Sequence, residues 1–147
     1  MKNGDLSNQS GYVIAFRCED CLISFETEGL KNKAFEFFSK ISGYDFRKPV
    51  INEDYLKVME YLYKWTSYNV DLVIQKENYT DKLKECLDGL PFGRIVLFER
   101  YSELSARLLT GDLTLYVDED AERRSLVNSQ YAVSLNELNN FLRRHKE

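Results

Sequence analysis

Short apolar runs alternate with amphipathic helical segments along most of the chain, and this alternation limits the possible folds more than any other feature of the sequence. The apolar runs are predicted to be strands at residues 12–16, 70–74, 93–98, 113–117 and 131–133. The helices are predicted at residues 30–41, 54–65, 79–90, 102–109, 121–127 and 134–144. Strands that alternate with helices in this way predict a parallel sheet that is covered by helices on both faces.

The predicted fold class is α/β, with a doubly wound parallel sheet of about five strands. Numbered along the chain, these strands are expected in the order fifth, fourth, first, second, third, so that the first strand is central. The segment between the first two strands contains two predicted helices and is too small for a large cap domain. A chain of 147 residues corresponds to one domain, which we place at residues 11–147 after a disordered N-terminus at residues 1–10.

The charge and composition argue against several classes of function. The net charge is −4 and no basic face can be identified, so nucleic-acid binding is not expected. No apolar run is long enough to span a membrane and the N-terminus has no apolar signal segment, so we predict a cytoplasmic protein. Three cysteines, an odd number, also favour a reducing compartment.

Aromatic residues are frequent, at 14% of the chain. Their densest stretch contains Tyr55, Tyr61, Tyr63, Trp65 and Tyr68. Most of these side chains are expected in the core, and an exposed part of the stretch would suit a protein partner. The sequence does not indicate an oligomeric state.

Two of the cysteines, Cys18 and Cys21, have the spacing of a redox pair. A reactive dithiol needs a lowered thiol pKa, whereas the intervening carboxylates of Glu19 and Asp20 would raise it. A structural zinc site needs four ligands, and the third cysteine, Cys86, lies on the apolar face of its predicted helix. A redox function of the Cys-x-x-Cys pair therefore stays open as an alternative, and no structural metal is expected.

The segment Phe16-Arg-Cys-Glu-Asp-Cys-Leu22 directly follows the first predicted strand. It resembles the first motif of the haloacid-dehalogenase-like (HAD) phosphatases, in which an apolar strand runs into Asp-x-Asp-Gly-Thr-Leu. The apolar positions match at Ile14, Phe16, Leu22 and Ile23. The resemblance extends in order and spacing over residues 11–144, and it implies a HAD-like Rossmannoid sheet with its site at the carboxyl ends of the strands.

The polar positions of this motif differ from those of the family. Arg17 stands where the family has the nucleophilic Asp, and Glu19 stands where it has the Asp that acts as general acid and base. Asp20 and Cys21 replace the Gly and the Thr. Arginine is always cationic and has no acceptor, so Arg17 can neither attack phosphorus nor bind Mg²⁺. The resemblance therefore implies a degenerate, catalytically inactive member.

The later motifs of the family are matched in part. The second strand ends in Gln75, where the family has Thr or Ser, and Lys76 or Arg100 could replace the Lys that holds phosphate. The fourth strand ends in Asp118, Glu119 and Asp120, which resemble the acidic motif that helps to hold magnesium. These residues complete the set of candidate ligand-binding positions.

The first function hypothesis is a non-catalytic HAD-like binding or regulatory module, a pseudo-phosphatase that needs no cofactor. In this hypothesis Arg17 takes the place of the metal ion and pairs with Asp118 or Glu119, because buried carboxylates without a counter-charge are costly. Arg123 and Arg124, in the following helix, are interpreted as a solvent-facing surface.

The enzymatic alternative is an atypical Mg²⁺-dependent phosphohydrolase. Glu19 and Asp20 are its catalytic candidates, because they are the carboxylates that follow the first strand. Weak Mg²⁺ binding would then be expected at Asp118 and Asp120, since Mg²⁺ prefers carboxylate oxygens.

Overall fold

A parallel sheet forms the centre of the computed structural model, which describes residues 11–26 and 48–144. The strands are β1 (Val13–Arg17), β2 (Ile23–Glu26), β3 (Lys48–Ile51), β4 (Asn69–Gln75), β5 (Arg94–Phe98), β6 (Leu115–Val117) and β7 (Ala132–Val133). Five of them form the sheet in the order β5–β4–β1–β6–β7, and every neighbouring pair is parallel. The predicted α/β class and the predicted strand order are thus confirmed, with β1 at the centre.

Helices connect the strands of this sheet. They are α1 (Glu53–Trp65), α2 (Asp81–Leu87), α3 (Tyr101–Thr110), α4 (Ala121–Ser125) and α5 (Leu135–Arg144), with 3₁₀ turns at Lys76–Asn78 and Ser129–Tyr131. The helix predicted at residues 30–41 and the disordered segment predicted at residues 1–10 lie outside the described residues. No helix in the described part of the chain is long and apolar enough to cross a membrane.

The two faces of the sheet are buried in separate hydrophobic cores, because side chains alternate along each strand. In β1, Ile14 and Phe16 belong to one core and Ala15 belongs to the other. The helices that complete the first core are α1, α2 and α5, which contribute Tyr55, Met59, Leu62, Leu83, Leu87, Leu135 and Leu138. The second core is completed by α3, which contributes Leu104 and Leu108. Helices therefore cover both faces, as the alternation predicts.

A second, two-stranded sheet that the sequence does not predict follows β1. Its strands β2 and β3 are antiparallel, with Phe25 opposite Pro49 and Ser24 opposite Val50. Gly43, Asp45 and Pro49 predict a loop in the sequence. At Pro49 this prediction is wrong, because Pro49 lies in β3, whereas Gly43 and Asp45 lie outside the described residues. A proline is compatible with an edge strand, where its missing N–H is not needed for a ladder hydrogen bond. In the described residues between β1 and β4, the β2–β3 pair and α1 leave no large cap domain evident.

Candidate functional site

The carboxyl ends of β1, β4 and β6 meet at one edge of the sheet, as their parallel pairing requires. The register places Arg17 beside Val73 and Phe16 beside Val117. The site residues predicted from the sequence all follow these strand ends: Arg17, Glu19, Asp20, Gln75, Lys76, Asp118, Glu119 and Asp120. The fold thus brings them to one edge, where their contacts divide them into separate groups.

Asp118, which follows β6, is a fully enclosed carboxylate with no exposed side-chain surface. Its Oδ2 accepts a hydrogen bond from Arg123 Nε at 2.8 Å, and its Oδ1 accepts one from a terminal nitrogen of Arg123 at 2.9 Å. The Tyr116 hydroxyl and the Asp120 backbone N–H also donate to this carboxylate. Burial alone would raise the pKa of Asp118, but the bonds from Arg123 and Tyr116 lower it overall.

The position of Arg123 follows from the way α4 begins. Asp120 caps this helix, because its side chain accepts hydrogen bonds from the backbone N–H groups of Glu122 and Arg123. The first helical turn directs Arg123 back over the end of β6, where its guanidinium also lies 3.5 Å from Asp120 and 3.7 Å from Asp20. Asp20 itself is exposed and has a left-handed φ of 68°. Arg123 is therefore the shared counter-charge of three aspartates.

The interpretation of Arg123 and Arg124 as solvent-facing is wrong. Both are only partly exposed, and a terminal nitrogen of Arg124 donates to the Asp118 backbone oxygen at 2.7 Å. The sequence does carry a signal for this contact, namely an aspartate cap directly after an acidic strand end. Such a cap starts a helix whose first turn can reach back to the strand.

Arg17, at the end of β1, is buried, with 4% of its side chain exposed. One terminal nitrogen donates to the Tyr101 hydroxyl at 2.8 Å, and Nε donates to the Glu19 backbone oxygen at 3.3 Å. The guanidinium also lies 5.9 Å from the ring centre of Phe98. Burial favours a lower pKa for Arg17, but Glu19, Tyr116 and Tyr101 raise it overall. Arg17 is therefore a buried cation.

The predicted ion pair between Arg17 and Asp118 or Glu119 is wrong. Arg123 already bonds both oxygens of Asp118. Within residues 11–26 and 48–144, the carboxylate that pairs with Arg17 is that of Glu19, whose Oε1 lies 3.5 Å from Arg17 Nε. A cation does neutralise the acidic end of β6, but α4 supplies it instead of β1.

Glu19 connects the ends of β1 and β4. Its Oε2 accepts hydrogen bonds from the Gln75 backbone N–H at 2.9 Å and from the Asn78 side chain at 2.6 Å. Its Oε1 is buried, finds no hydrogen-bond donor among the described residues and lies in an ion pair with Arg17. Glu19 thus holds two strand ends together, and Gln75 takes part through its backbone.

The remaining predicted site residues have other contacts. Lys76 forms an exposed ion pair with Glu99 at 3.7 Å, after the end of β5. Glu119 Oε2 accepts hydrogen bonds from the Tyr55 hydroxyl at 2.8 Å and from the Leu135 backbone N–H at 2.7 Å. Because Leu135 begins α5 and Tyr55 belongs to α1, these hydrogen bonds of Glu119 connect the end of β6 to both helices.

Cys18 and Cys21 lie in the turn after β1, where both are buried free thiols. Cys21 Sγ donates to Asp118 Oδ1 at 3.3 Å and accepts a hydrogen bond from the Glu119 backbone N–H at 3.4 Å. Burial raises the pKa of Cys21 to about 11, and burial together with Glu19 also raises the pKa of Cys18. Among the side chains that the structure describes, no group of three or more His, Cys, Asp or Glu residues could hold a metal ion.

No protein-family model, curated protein or solved structure matches the chain. The functional interpretation therefore depends on the fold, the geometry of this edge and the motifs quoted above. Chemically, the edge consists of carboxylates and guanidinium groups that neutralise one another. Such an arrangement can hold the strand ends rigidly, and it leaves neither an activated nucleophile nor an open set of metal ligands among the described residues.

Proposed function

We propose that this protein is a non-catalytic binding or regulatory module with a HAD-like fold, a pseudo-phosphatase of the cytoplasm. The observation that carries the proposal is the buried cation of Arg17 at the end of the central strand. The HAD resemblance places the nucleophilic carboxylate at this position. The strand order and the acidic end of β6 support the HAD-like assignment, and free cysteines fit a reducing compartment.

Two features of the edge oppose phosphoryl transfer. The guanidinium of Arg17 has no lone pair to attack phosphorus, and its positive charge repels a metal ion. Asp118 would have to lose its bonds to Arg123 and Tyr116 before it could bind Mg²⁺. Loss of a nucleophile leaves only binding and electrostatic effects, which are orders of magnitude weaker than full catalysis.

The alternatives receive less support from the same geometry. A redox role needs an accessible thiolate, whereas Cys18 and Cys21 are buried and have raised pKa values. A phosphohydrolase that uses Glu19 would have to release this carboxylate from the end of β4. Asp20 is exposed, but it lies beside the Arg123 cation, with which Mg²⁺ would compete.

The proposal is tested with an aryl phosphate such as p-nitrophenyl phosphate in the presence of Mg²⁺. We expect hydrolysis at the background rate, because the nucleophile position carries a cation. We also expect Mg²⁺ to leave the melting temperature unchanged, because the carboxylates of this edge are already bonded. Hydrolysis is measured as released nitrophenol, and melting is followed by circular dichroism.

Asp118→Asn is the control, since it keeps the size of the side chain and removes its charge. Turnover by the parent protein that scales with its concentration and disappears in folded Asp118→Asn would refute the proposal. A rise in melting temperature with Mg²⁺ in the parent, but not in the control, would support the phosphohydrolase instead.

A further inference from the structure

A groove separates helices α1 and α5 on the outer side of the first core. The α1–α5 groove has a volume of about 470 Å³ and is lined by Lys57, Val58, Tyr61, Asn139, Leu142 and Arg143. Val58 and Leu142 form its apolar floor, because both are partly buried against the first core. None of the described residues that line the groove belongs to the site described above.

The described charged residues that line the groove are both cations, although the net charge of the chain is −4. Lys57 lies on the α1 wall and Arg143 on the α5 wall, and the described lining residues include no carboxylate. Within the part of the chain that the structure describes, neither cation forms an ion pair. Arg143 donates to the neutral Asn140 side chain at 2.9 Å. A partner with carboxylates on both sides of an apolar strip would meet both cations.

Exposed aromatic side chains continue the groove along α1. Tyr61 is 47% exposed and Trp65 is 75% exposed. They follow Lys57 at intervals of four residues, so the three side chains lie on one face of the helix. Tyrosine, tryptophan and arginine are the residue types that contribute most strongly to protein interfaces. This face therefore combines an apolar floor, aromatic anchors and cations.

We propose that the α1–α5 groove binds an acidic amphipathic helix of a protein partner. A groove between two helices accepts a third helix whose apolar ridge packs onto its floor. The helix α1 has 13 residues and is about 20 Å long, which matches a partner helix of a few turns. The carboxylates of the partner would face Lys57 and Arg143, and Tyr61 and Trp65 would cover one side of its apolar stripe.

The test is a selection from a displayed library of helical peptides of about four turns, followed by titration of the selected peptides. Trp65 is the single tryptophan of the chain, so its fluorescence reports binding at this face. We expect the selected peptides to carry Asp and Glu beside an apolar stripe and to shift the Trp65 emission to shorter wavelength. We expect Lys57→Glu to weaken their binding about tenfold or more.

Lys84→Glu is the matched control, because Lys84 is, like Lys57, an exposed helical lysine, and it lies on α2. It should leave the affinity within about twofold of the parent value. Basic or uncharged selected peptides, equal loss in both variants, or no enrichment at all would overturn the proposal. Sedimentation that shows a dimer disrupted by Tyr61→Glu would assign the groove to a second copy and also overturn it.

This inference rests on the proposed binding role and names its partner chemistry, but the two can fail separately. Hydrolysis of an aryl phosphate would refute the non-catalytic role whatever the groove binds. Absence of acidic helices from the selection, together with absence of hydrolysis, would refute the groove and leave the non-catalytic role standing.

Discussion

The two ends of the sheet each bury an aspartate beside an arginine, but only one end favours the charged carboxylate. At the carboxyl end, Arg123 bonds both oxygens of Asp118. At the amino end, Asp71 of β4 pairs with Arg94, its register neighbour on β5, and both Arg94 contacts, at 2.7 and 2.8 Å, are to Oδ2. The pKa of Asp118 is lowered, whereas the pKa of Asp71 is raised.

Burial does not explain this difference, because the two carboxylates have similar exposure, 0% for Asp118 and 5% for Asp71. The donors do. Asp118 also receives bonds from a tyrosine hydroxyl and a backbone N–H, whereas the Asp71 partner, Arg94, is 46% exposed and shared with Asp112. At Asp71, the effect of burial exceeds that of its arginine. The number and direction of donors thus decide whether folding favours the ionised form.

The largest effect is expected from Arg123→Met, which removes the cation from the fully buried Asp118. A buried carboxylate that loses its partner is strongly destabilising, so we expect the free energy of unfolding to fall by about 3–5 kcal/mol at neutral pH. Urea denaturation followed by circular dichroism measures this change. The double variant Arg123→Met with Asp118→Asn should recover most of the loss, because Asp20 is exposed, Asp120 is partly exposed and no unpaired buried charge is then left.

Arg94→Met is the matched variant at the amino end. Because Arg94 is half exposed and is shared between Asp71 and Asp112, we expect a loss of about 1 kcal/mol or less. Equal losses for Arg94→Met and Arg123→Met would show that the donors around the two carboxylates do not differ in effect, and the comparison between the two ends would fail.

The fold was largely predictable from the sequence, whereas the pairing within the site was not. Strand and helix periodicity is a local property, and it is sufficient for the order of the five strands. The sequence predicts Arg17 as the partner of Asp118, whereas the structure has Arg123 in that role. The Asp120 cap of α4 is visible in the sequence, but the carboxylate that Arg123 reaches depends on the three-dimensional path of the chain into α4.

The two-stranded sheet of β2 and β3 was missed for a different reason. Its strand β3 is short, mostly exposed and contains Pro49, so it shows neither apolar alternation nor a strong strand propensity. Its pairing with β2 is made across a long sequence separation, and no local signal for such a contact exists. The strand therefore owes its existence to tertiary pairing.

An intermediate effect is expected from Arg17→Met. The substitution removes the cation that pairs with Glu19 Oε1, but Oε2 keeps its donors from Gln75 and Asn78. We expect a loss of about 1–3 kcal/mol in the free energy of unfolding. Because Asp118 stays paired with Arg123, added Mg²⁺ should not restore stability, and urea denaturation with and without Mg²⁺ tests this. Recovery with Mg²⁺ would mean that Arg17 also neutralises the acidic end of β6.

The smallest effect is expected in the pH dependence contributed by Asp71, and its sign is opposite to that of Asp118. The unfolded pKa of an aspartate is about 3.9. The lowered pKa of Asp118 means that its contribution to stability is present above the unfolded pKa and is lost as the pH falls through the folded pKa. The raised pKa of Asp71 means that its contribution is present below the unfolded pKa and is lost as the pH rises through the folded pKa.

Urea denaturation of the parent, Asp71→Asn and Asp118→Asn across acidic to neutral pH separates these two contributions. The stability advantage of the parent over Asp118→Asn should grow as the pH rises from the acid limit. The stability advantage of the parent over Asp71→Asn should shrink as the pH rises, by about 1 kcal/mol or less. The change is small because Arg94 is half exposed, so solvent weakens its pair with Asp71. Advantages that change in the same direction would mean that Arg94 stabilises the charged form of Asp71 as Arg123 stabilises that of Asp118. The register pair between β4 and β5 would then be as well satisfied as the bidentate pair at the end of β6.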